Sequence, residues 1–402
     1  MQSGCRHTSG RAWVDNEQET ARGAQRARIY GVTIGTMETG RWNALTDVPG
    51  VRVGHCTVAF GEGALVPGRG PARTGVTAIL PHDGNLFREK VPAASHVING
   101  FGKSIGLVQV DELGAIETPI LLTSVLNIPR VADALIDHMI AVEPGIGITT
   151  SSVNPIVMEC NDSTLNDVQG RHVRAEHVCC ALADATDGPI AEGSVGAGTG
   201  MVTFGIGGGI GTASHVLPAP HPRYTVGALV LGNTGRLDQL RIDGVPVGRA
   251  LAVTRDDWAD EPPDGSIIIV LATDAPATTR QLGRLVRRAA LGLGRTGATA
   301  SHGSGDIALI FGTHAANRIP HTPDGPVRTI ETIAEDGPLI SALFAAVIEA
   351  TEEAIINVLF VSRGMTGRDN HHAPGLPIRR VLAILRAHGR GGAPFVPPVG
   401  AA

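Results

Sequence analysis

The sequence is poor in aromatic and charged residues, which make up 3% and 18% of its 402 residues. Its 33 basic and 38 acidic residues give a net charge of -5. A general nucleic-acid-binding protein normally has a basic excess and aromatic rings on which bases stack, so nucleic acid is not an expected partner. No stretch approaches the run of about 20 apolar residues that crosses a bilayer, so no membrane partner is expected either.

Cysteine is also scarce, and its arrangement does not suggest disulfides. The five cysteines are an odd number without a CxxC pair, namely Cys5, Cys56, Cys160, Cys179 and Cys180. We therefore predict a reducing, cytoplasmic environment in place of a disulfide framework. The N-terminal residues lack the continuous apolar segment of a secretory signal, and residues 1–40 are expected to form a loosely ordered extension.

Metal binding is not predicted. His172, His177, Cys179 and Cys180 are close together in the sequence, but their spacing matches no recognised set of metal ligands. A helix with buried thiols is the favoured interpretation of this segment.

Apolar residues, in contrast, are abundant. Hydrophobic residues make up 43% of the chain, which argues against intrinsic disorder and suffices for a large core. Short apolar runs alternate with helical patterns, and many runs are apolar on both faces, which predicts sheets covered on both sides. We predict a single domain over 41–388 and a loose tail over 389–402. The predicted strands cover 75–80, 119–122, 225–231, 266–271 and 306–311, and the predicted helices cover 129–142, 282–293, 338–361 and 377–388.

The 53 glycines raise the possibility of a nucleotide site. The richest segment, 193–211, contains no GxGxxG motif in any register, and Gly102-Lys103-Ser104 lacks the first glycine of a P-loop. Residues 102–106 match GxSxG, but no buried strand precedes Ser104, as the nucleophile elbow of an α/β-hydrolase requires. Glycine-rich strands whose backbones approach closely are therefore favoured, and no cofactor is predicted.

Polar residues adjoin glycines at the ends of three predicted strands. Ser266 begins one strand, Ser304 and Asp306 are at the start of another, and Asn233 follows a third. Small neighbours at such positions leave room for the backbone of a substrate. Ordinary turns have the same composition, and these patterns taken alone favour turns.

Several longer segments change that balance, namely 43–55, 85–94, 112–120, 193–211 and 265–276. Together they resemble the DmpA-type L-aminopeptidase/D-esterase family, which includes the β-peptidyl aminopeptidases. The resemblance runs in register from about residue 40 to 388. It implies an α+β fold, the four-layer αββα sandwich of the N-terminal-nucleophile hydrolases.

The resemblance also implies roles for individual residues. The chain would cleave itself between Gly265 and Ser266 into an α chain (1–265) and a β chain (266–402). Ser266 would then be the nucleophile, with its new α-amine as the general base. Asn233 would stabilise the oxyanion. By the same resemblance, Ser304 and Asp306 would assist the nucleophile.

Glu159 matches the carboxylate that holds the free ammonium group of the substrate. The implied function is a serine aminopeptidase or amidase that acts on small peptides, amides or esters, without metal or cofactor, as a homo-oligomer, expected to be a tetramer of αβ units. The chain departs from the family in having only Tyr30 and Tyr224, neither in the neighbourhood where the family can carry an active-site tyrosine.

Three matters stay open at this point. The preference among L-, D- and β-amino acids does not follow from the sequence. An acyltransferase of the ornithine-acetyltransferase type is one alternative, although those enzymes normally use threonine where this chain has Ser266. An unprocessed chain with a structural or binding role is the other.

Overall fold

The computed structural model describes residues 25–252 and 265–391. Runs of aliphatic and β-branched residues form the strands, and amphipathic segments form the helices. The strands are β1 (Arg52–Phe60), β2 (Ala72–Leu80), β3 (Glu89–Gly100), β4 (Ser104–Ile105), β5 (Ala115–Ile116), β6 (Ile120–Ser124), β7 (Ile156–Cys160), β8 (Val202–Thr203), β9 (Ile206–Gly207), β10 (Ile210–Val216), β11 (Thr225–Asn233), β12 (Ser266–Thr273), β13 (Gly305–Gly312), β14 (Ile319–Pro320), β15 (Met365–Thr366) and β16 (His372–Ala373). The α-helices are α1 (Leu107–Leu113), α2 (Ile128–Val142), α3 (Ala175–Ala183), α4 (Val247–Ala252), α5 (Thr279–Val286), α6 (Ala289–Arg295), α7 (Pro338–Phe360) and α8 (Ile378–Ala387).

Two sheets form the centre of the molecule. The first has the strand order β1-β2-β6-β7-β4, and the second has the order β10-β11-β12-β13-β3-β14, with β5 also paired to β3. Their inner faces meet in one apolar core, which includes Leu122 and Met158 from the first sheet and Leu231, Val270 and Leu309 from the second. The two sheets are therefore packed face to face.

Helices cover both outer faces. Helices α2 and α3 pack on the first sheet, and α5 and α7 pack on the second. Strand β12 shows why such a layer needs apolar residues throughout. Ile267 and Ile269 face the helices, whereas Ile268 and Val270 face the other sheet. The arrangement is the predicted αββα sandwich.

Most predicted elements agree with the structure to within a few residues, but the predicted helix 282–293 is wrong as a single element. It is interrupted after Val286 and resumes at Ala289. At the break, the amide of Arg288 bonds to the carbonyl oxygen of Leu285, three residues back. The hydrogen bond to the third residue back is typical of a tighter 3₁₀ turn, and the apolar residues on both sides of the break remain packed on the core.

The interpretation of the cysteine-containing helix is also partly wrong. Helix α3 forms as expected, but Cys179 and Cys180 are exposed. Its buried face is made by Val178, Ala181 and Leu182, because these residues recur at helical spacing toward the first sheet.

The packed fold begins earlier than the predicted boundary at residue 40. Ala27, Val32 and Ile34 are buried in the core between the second sheet and its helices. Five of the eight residues from 27 to 34 are apolar, but the run is too short to indicate a packed element on its own. Residues 1–24 and 392–402 lie outside the described residues.

A buried ion pair ties this N-terminal segment to α7. Nε and Nη2 of Arg28 donate to the two carboxylate oxygens of Glu353, each at 2.6 Å. Asn43 Nδ2 donates to Oε1 at 2.6 Å, and His215 Nε2 lies 3.1 Å from Oε2. Burial raises the pKa of Glu353, but the hydrogen bonds from His215 and Arg28 prevail and lower it to about 2.

Replacing Arg28 by alanine should therefore destabilise the protein strongly, because it leaves a buried carboxylate without its charged partner. We expect Arg28→Ala to reduce the free energy of unfolding at pH 7 by roughly 3 kcal/mol. The stabilisation from Glu353 is present above the ordinary carboxyl pKa of about 4.3 and disappears as the pH falls toward the folded-state value. The difference between wild type and variant should shrink in the same direction.

Urea denaturation measured at several pH values tests this expectation. The matched control is Arg223→Ala, which removes a pair with Glu38 in which both side chains are mostly exposed, and should have little effect. Equal losses in the two variants would contradict the assigned role of the buried pair.

Candidate active site

The pairing of three neighbouring strands brings the predicted site residues together. Strands β11 and β12 are antiparallel, with Asn233 opposite Ser266. Strands β12 and β13 are parallel, with Ser266 opposite Gly305. The last residue of β11 and the first residues of β12 and β13 therefore adjoin at one end of the second sheet. Ser304 and Asp306 are the chain neighbours of Gly305 and therefore lie at the same end of the sheet.

Ser266 is buried at this end and is contacted from the first sheet. Its Oγ accepts a hydrogen bond from the backbone amide of Asn161 at 3.3 Å. Asn161 directly follows β7, so the serine lies where the ends of the two sheets meet. Cys160 is fully buried beside it and donates to the carbonyl oxygen of Leu231 at 3.3 Å. Burial raises the pKa of this thiol well above its ordinary value, so it remains protonated.

Ser304 and Asp306 form a buried pair. Ser304 Oγ donates to Asp306 Oδ1 at 2.7 Å, and both side chains are almost completely excluded from solvent. Burial raises the pKa of Asp306, and the hydrogen bond from Ser304 opposes this. The pair matches a carboxylate that orients a hydroxyl group and stabilises a nearby cation.

Asn233 has a fixed side-chain orientation. Its Oδ1 accepts a hydrogen bond from the backbone amide of Val202 at 2.9 Å, which leaves Nδ2 to act as a donor. Val202 belongs to the glycine-rich part of the chain, which packs against the end of β11. The amide of Gly232 donates to the carbonyl oxygen of Gly209 at 2.7 Å.

The glycines in this region allow such close approach. A Cβ atom on Gly209 would lie 2.8 Å from the Cα atom of Gly198. A Cβ atom on Gly211 would lie 2.2 Å from the carbonyl oxygen of Ala354. The close backbone approach expected for segment 193–211 is present, but Gly198 lies in a 3₁₀ turn and Ala354 in α7, so these two neighbours are not strands as predicted.

Glu159 is buried near the end of β7, two residues before Asn161. Its Oε1 accepts a hydrogen bond from the backbone amide of Lys103 at 2.9 Å, and Lys103 Nζ lies 3.7 Å from the same oxygen. Burial raises the pKa of Glu159, and the charge of Lys103 opposes that shift. A buried carboxylate of this kind can bind a second cation.

Lys103 is a site residue that the sequence reasoning missed. Its segment drew attention only as an incomplete P-loop and as a GxSxG motif. Ser104 is exposed and pairs with Met158 in the edge strand β4, so it is not a nucleophile elbow. The pairing of β4 with β7 brings Lys103 to Glu159, and no local motif signals a pairing between such distant segments.

Gly265 precedes Ser266 and is closely surrounded. Its carbonyl oxygen accepts a hydrogen bond from the amide of Gly305 at 3.3 Å. A Cβ atom at this position would lie 2.5 Å from the carbonyl oxygen of Asn233 and 2.7 Å from the Cα atom of Thr234. Only glycine fits here without a shift of the backbone.

The two tyrosines are elsewhere. Tyr30 and Tyr224 both pack against the core on the helix-covered face of the second sheet. The ring centroids of Tyr30 and Phe360 are 5.8 Å apart, and the two rings are tilted by 37°. Neither tyrosine lies beside Glu159, which agrees with the expectation from the sequence.

Comparisons with known proteins identify the family of this chain. The model of peptidase family S58 matches residues 43–373. The β-peptidyl aminopeptidase BapA of Sphingosinicella xenopeptidilytica is 43% identical over 373 residues, which cover 90% of this chain and 91% of that protein.

Two solved structures are equally informative. The PH0078 protein of Pyrococcus horikoshii OT3 is 50% identical, with a TM-score of 0.85 over 91% of this chain and 100% of that one. The L-aminopeptidase D-Ala-esterase/amidase of Ochrobactrum anthropi is 36% identical, with a TM-score of 0.84 over 91% and 99% of the two chains. That protein is described as a prototype of the serine aminopeptidases and a variant of the Ntn-hydrolase fold.

The acyltransferase and the non-catalytic alternatives are not favoured by these matches, since the family and the relatives named with an activity are peptidases or aminopeptidases. The expected family resemblance and αββα fold are confirmed. The chain belongs to peptidase family S58 and is a hydrolase, a serine aminopeptidase or amidase with the N-terminal-nucleophile fold.

Proposed function

We propose that the chain cleaves its own Gly265–Ser266 bond and that Ser266 then acts as the nucleophile of a serine aminopeptidase. The observation that carries this proposal is the alignment of Asn233, Ser266 and Gly305 across three paired strands. It brings an amide donor, a hydroxyl nucleophile and the Ser304–Asp306 pair to one sheet end, at the start of the strand that cleavage would expose.

The new α-amine of Ser266 supplies the base. Its reference pKa is about 7.7–8.0, so a useful fraction is neutral at cellular pH. The amine takes the proton of the hydroxyl group as Oγ attacks the substrate carbonyl, and then gives it to the leaving amine. Water hydrolyses the resulting acyl-enzyme by the same proton route. Ser304 and Asp306 stabilise the ammonium form that exists between these transfers.

Two further residues complete the proposed site. The fixed Nδ2 group of Asn233 stabilises the oxyanion of the tetrahedral intermediate, a contribution that is typically worth about 10²–10³ in rate. Glu159 binds the free ammonium group of the substrate, which restricts cleavage to N-terminal residues.

We propose N-terminal β-amino acyl groups as preferred substrates. BapA of S. xenopeptidilytica is a β-peptidyl aminopeptidase, and the surroundings of Gly265 support the same class here. The acyl group that Ser266 first attacks is glycyl, and there is no room for a Cβ atom on the carbon next to its carbonyl. A β-amino acyl group also has an unsubstituted carbon at that position.

We also propose a cytoplasmic location and a homotetrameric assembly. No helix among the described residues has the length and hydropathy needed to span a membrane. Cys56, Cys160, Cys179 and Cys180 are free thiols, which supports the proposed cytoplasmic location. Val108 and Leu113 on α1 are largely exposed, and such apolar residues are available for contacts in the proposed homotetramer.

Ser266→Ala should abolish both self-cleavage and activity, because both reactions use the same hydroxyl group. A denaturing gel with intact mass analysis should show two fragments that meet at Gly265/Ser266 for the wild type and one uncut chain for the variant. Ser104→Ala is the matched control and should be cleaved and active. A wild-type chain that stays uncut after long incubation, or a variant cut at the same bond, would refute the assignment.

Glu159→Gln should reduce recognition of the free amine without changing the size of the side chain. We expect kcat/KM for a free-amine substrate to fall roughly 100-fold, the effect of losing the partner of a buried charge. The N-acetylated form of the same substrate should be a poor substrate of both enzymes. Kinetics on the pair, with complete self-cleavage confirmed on a gel, provide the measurement. An unchanged ratio between the two substrates would count against Glu159 as the ammonium site.

The substrate preference can be tested with two isomers, β-alanyl and L-alanyl p-nitroanilide. Because the L-alanyl methyl group points into occupied space, we expect the β-alanyl compound to have a kcat/KM higher by roughly tenfold or more. Equal rates would show that the space around Gly265 does not limit the acyl group.

A further inference from the structure

The chain contains two lysines, Lys90 and Lys103, against 31 arginines. Each lysine forms an ion pair with a buried glutamate, Lys90 with Glu117 and Lys103 with Glu159. Lysine differs from arginine in having a compact charge on a flexible stem, without the planar fork that engages both oxygens of a carboxylate. At Glu159 this difference leaves part of the carboxylate available.

The position of Lys103 is set by its backbone. Strand β4 pairs with β7 in a register that aligns Ser104 with Met158, so Lys103 comes next to Glu159. The preceding Gly102 packs on Gly305, where an added Cβ atom would lie 3.2 Å from the Cα atom of Gly305. This contact joins the lysine segment directly to the start of β13.

The contacts to Glu159 are uneven between its two oxygens. Oε1 accepts the backbone amide of Lys103 at 2.9 Å and faces Nζ of the same residue at 3.7 Å. The hydrogen bonds and ion pair described for this carboxylate all involve Oε1, which leaves Oε2 as the oxygen for a ligand. The Lys103 side chain is 52% exposed, whereas that of Glu159 is 3% exposed. The lysine therefore approaches from the solvent side and does not fill the site.

Two electrostatic effects of Lys103 oppose each other. Burial raises the pKa of Glu159, nearby Asp162 raises it further, and Lys103 lowers it. Asp162 is itself buried, and burial raises its pKa to about 6. Removing the lysine would thus favour the protonated form of Glu159. The same positive charge also repels any second cation that approaches Oε2.

We propose that Lys103 is a positioning residue that keeps Glu159 ionised for the substrate ammonium group and at the same time weakens the binding of that group. The inference rests on the proposed role of Glu159 as the ammonium site. The affinity for an ammonium ligand then depends on two opposing effects of Lys103. Its charge keeps Glu159 ionised, and the same charge competes with the ligand for the carboxylate.

The test is the binding of 3-aminopropan-1-ol, an ammonium ligand without a carbonyl to attack, measured by NMR titration between pH 5.5 and 8.5. We expect Lys103→Met to bind it roughly tenfold more weakly than wild type at the acid end, because loss of the nearby positive charge favours the protonated form of Glu159. At the alkaline end, where protonation of Glu159 limits binding least, the variant should bind more tightly than wild type, because it lacks the competing positive charge.

This crossing of the two affinity curves is the decisive readout, because a purely structural role for Lys103 would lower affinity at every pH. Lys103→Arg keeps the charge, so its affinity should change with pH as that of wild type does, but at lower values throughout, because the planar fork can also engage Oε2. Propan-1-ol, which lacks the ammonium group, should not distinguish the proteins. A ratio of affinities that does not change with pH, or a Lys103→Arg curve like that of Lys103→Met, would overturn the proposal. Direct binding does not depend on turnover, so failure of the proposed catalytic function would appear separately as an inactive wild-type enzyme.

Discussion

The pairing register of β12 is the constraint on which the site depends. Its backbone bonds place Asn233 on one side of Ser266 and Gly305 on the other. A shift of one residue would turn Ser266 away from the site and reverse every apolar side chain of the strand between the two cores. The packing energy of the whole sandwich therefore helps to hold the proposed nucleophile in place, together with the hydrogen bond from the amide of Asn161 to its Oγ.

Buried carboxylates in this molecule are compensated to different degrees. Glu353 receives the bidentate guanidinium of Arg28, and its pKa falls to about 2. Glu159 has the more distant ammonium of Lys103, and burial raises its pKa. The hydrogen bonds to Asp306 come from two neutral groups, the hydroxyl of Ser304 and the backbone of Ile267, and burial raises its pKa as well. The structural carboxylate is fully paired, whereas the two in the site retain capacity for a further cation.

Much of the architecture could be predicted because it depends on local apolar patterns. Strand β12 is recognisable from its unbroken β-branched run, which a strand covered on both faces requires. The interruption after Val286 was not predictable, since the apolar pattern continues across it. The packing of Ala27 was missed for a different reason, because its segment contacts α7, a helix more than 300 residues away in the chain.

The site could be predicted in part for the same physical reasons. Asn233 and Ser266 end and begin recognisable strands, so their neighbourhood follows once the strands pair. Lys103 contributes through the edge strand β4, which is two residues long and has no detectable pattern of its own. Contacts that depend on pairing between short segments far apart in the chain cannot be predicted from a single sequence.

The amide of Gly305 donates a hydrogen bond to the carbonyl oxygen of Gly265, so the bond that is proposed to be cleaved is held within the same folded chain as Ser266. Under the proposed self-cleavage, each molecule is its own first substrate, and that reaction begins before a free α-amine exists at Ser266. Maturation is then unimolecular, and its half-time does not change with dilution or with the concentration of peptides. The delay before activity appears would then begin when the strands assemble, and each molecule would pass through it only once.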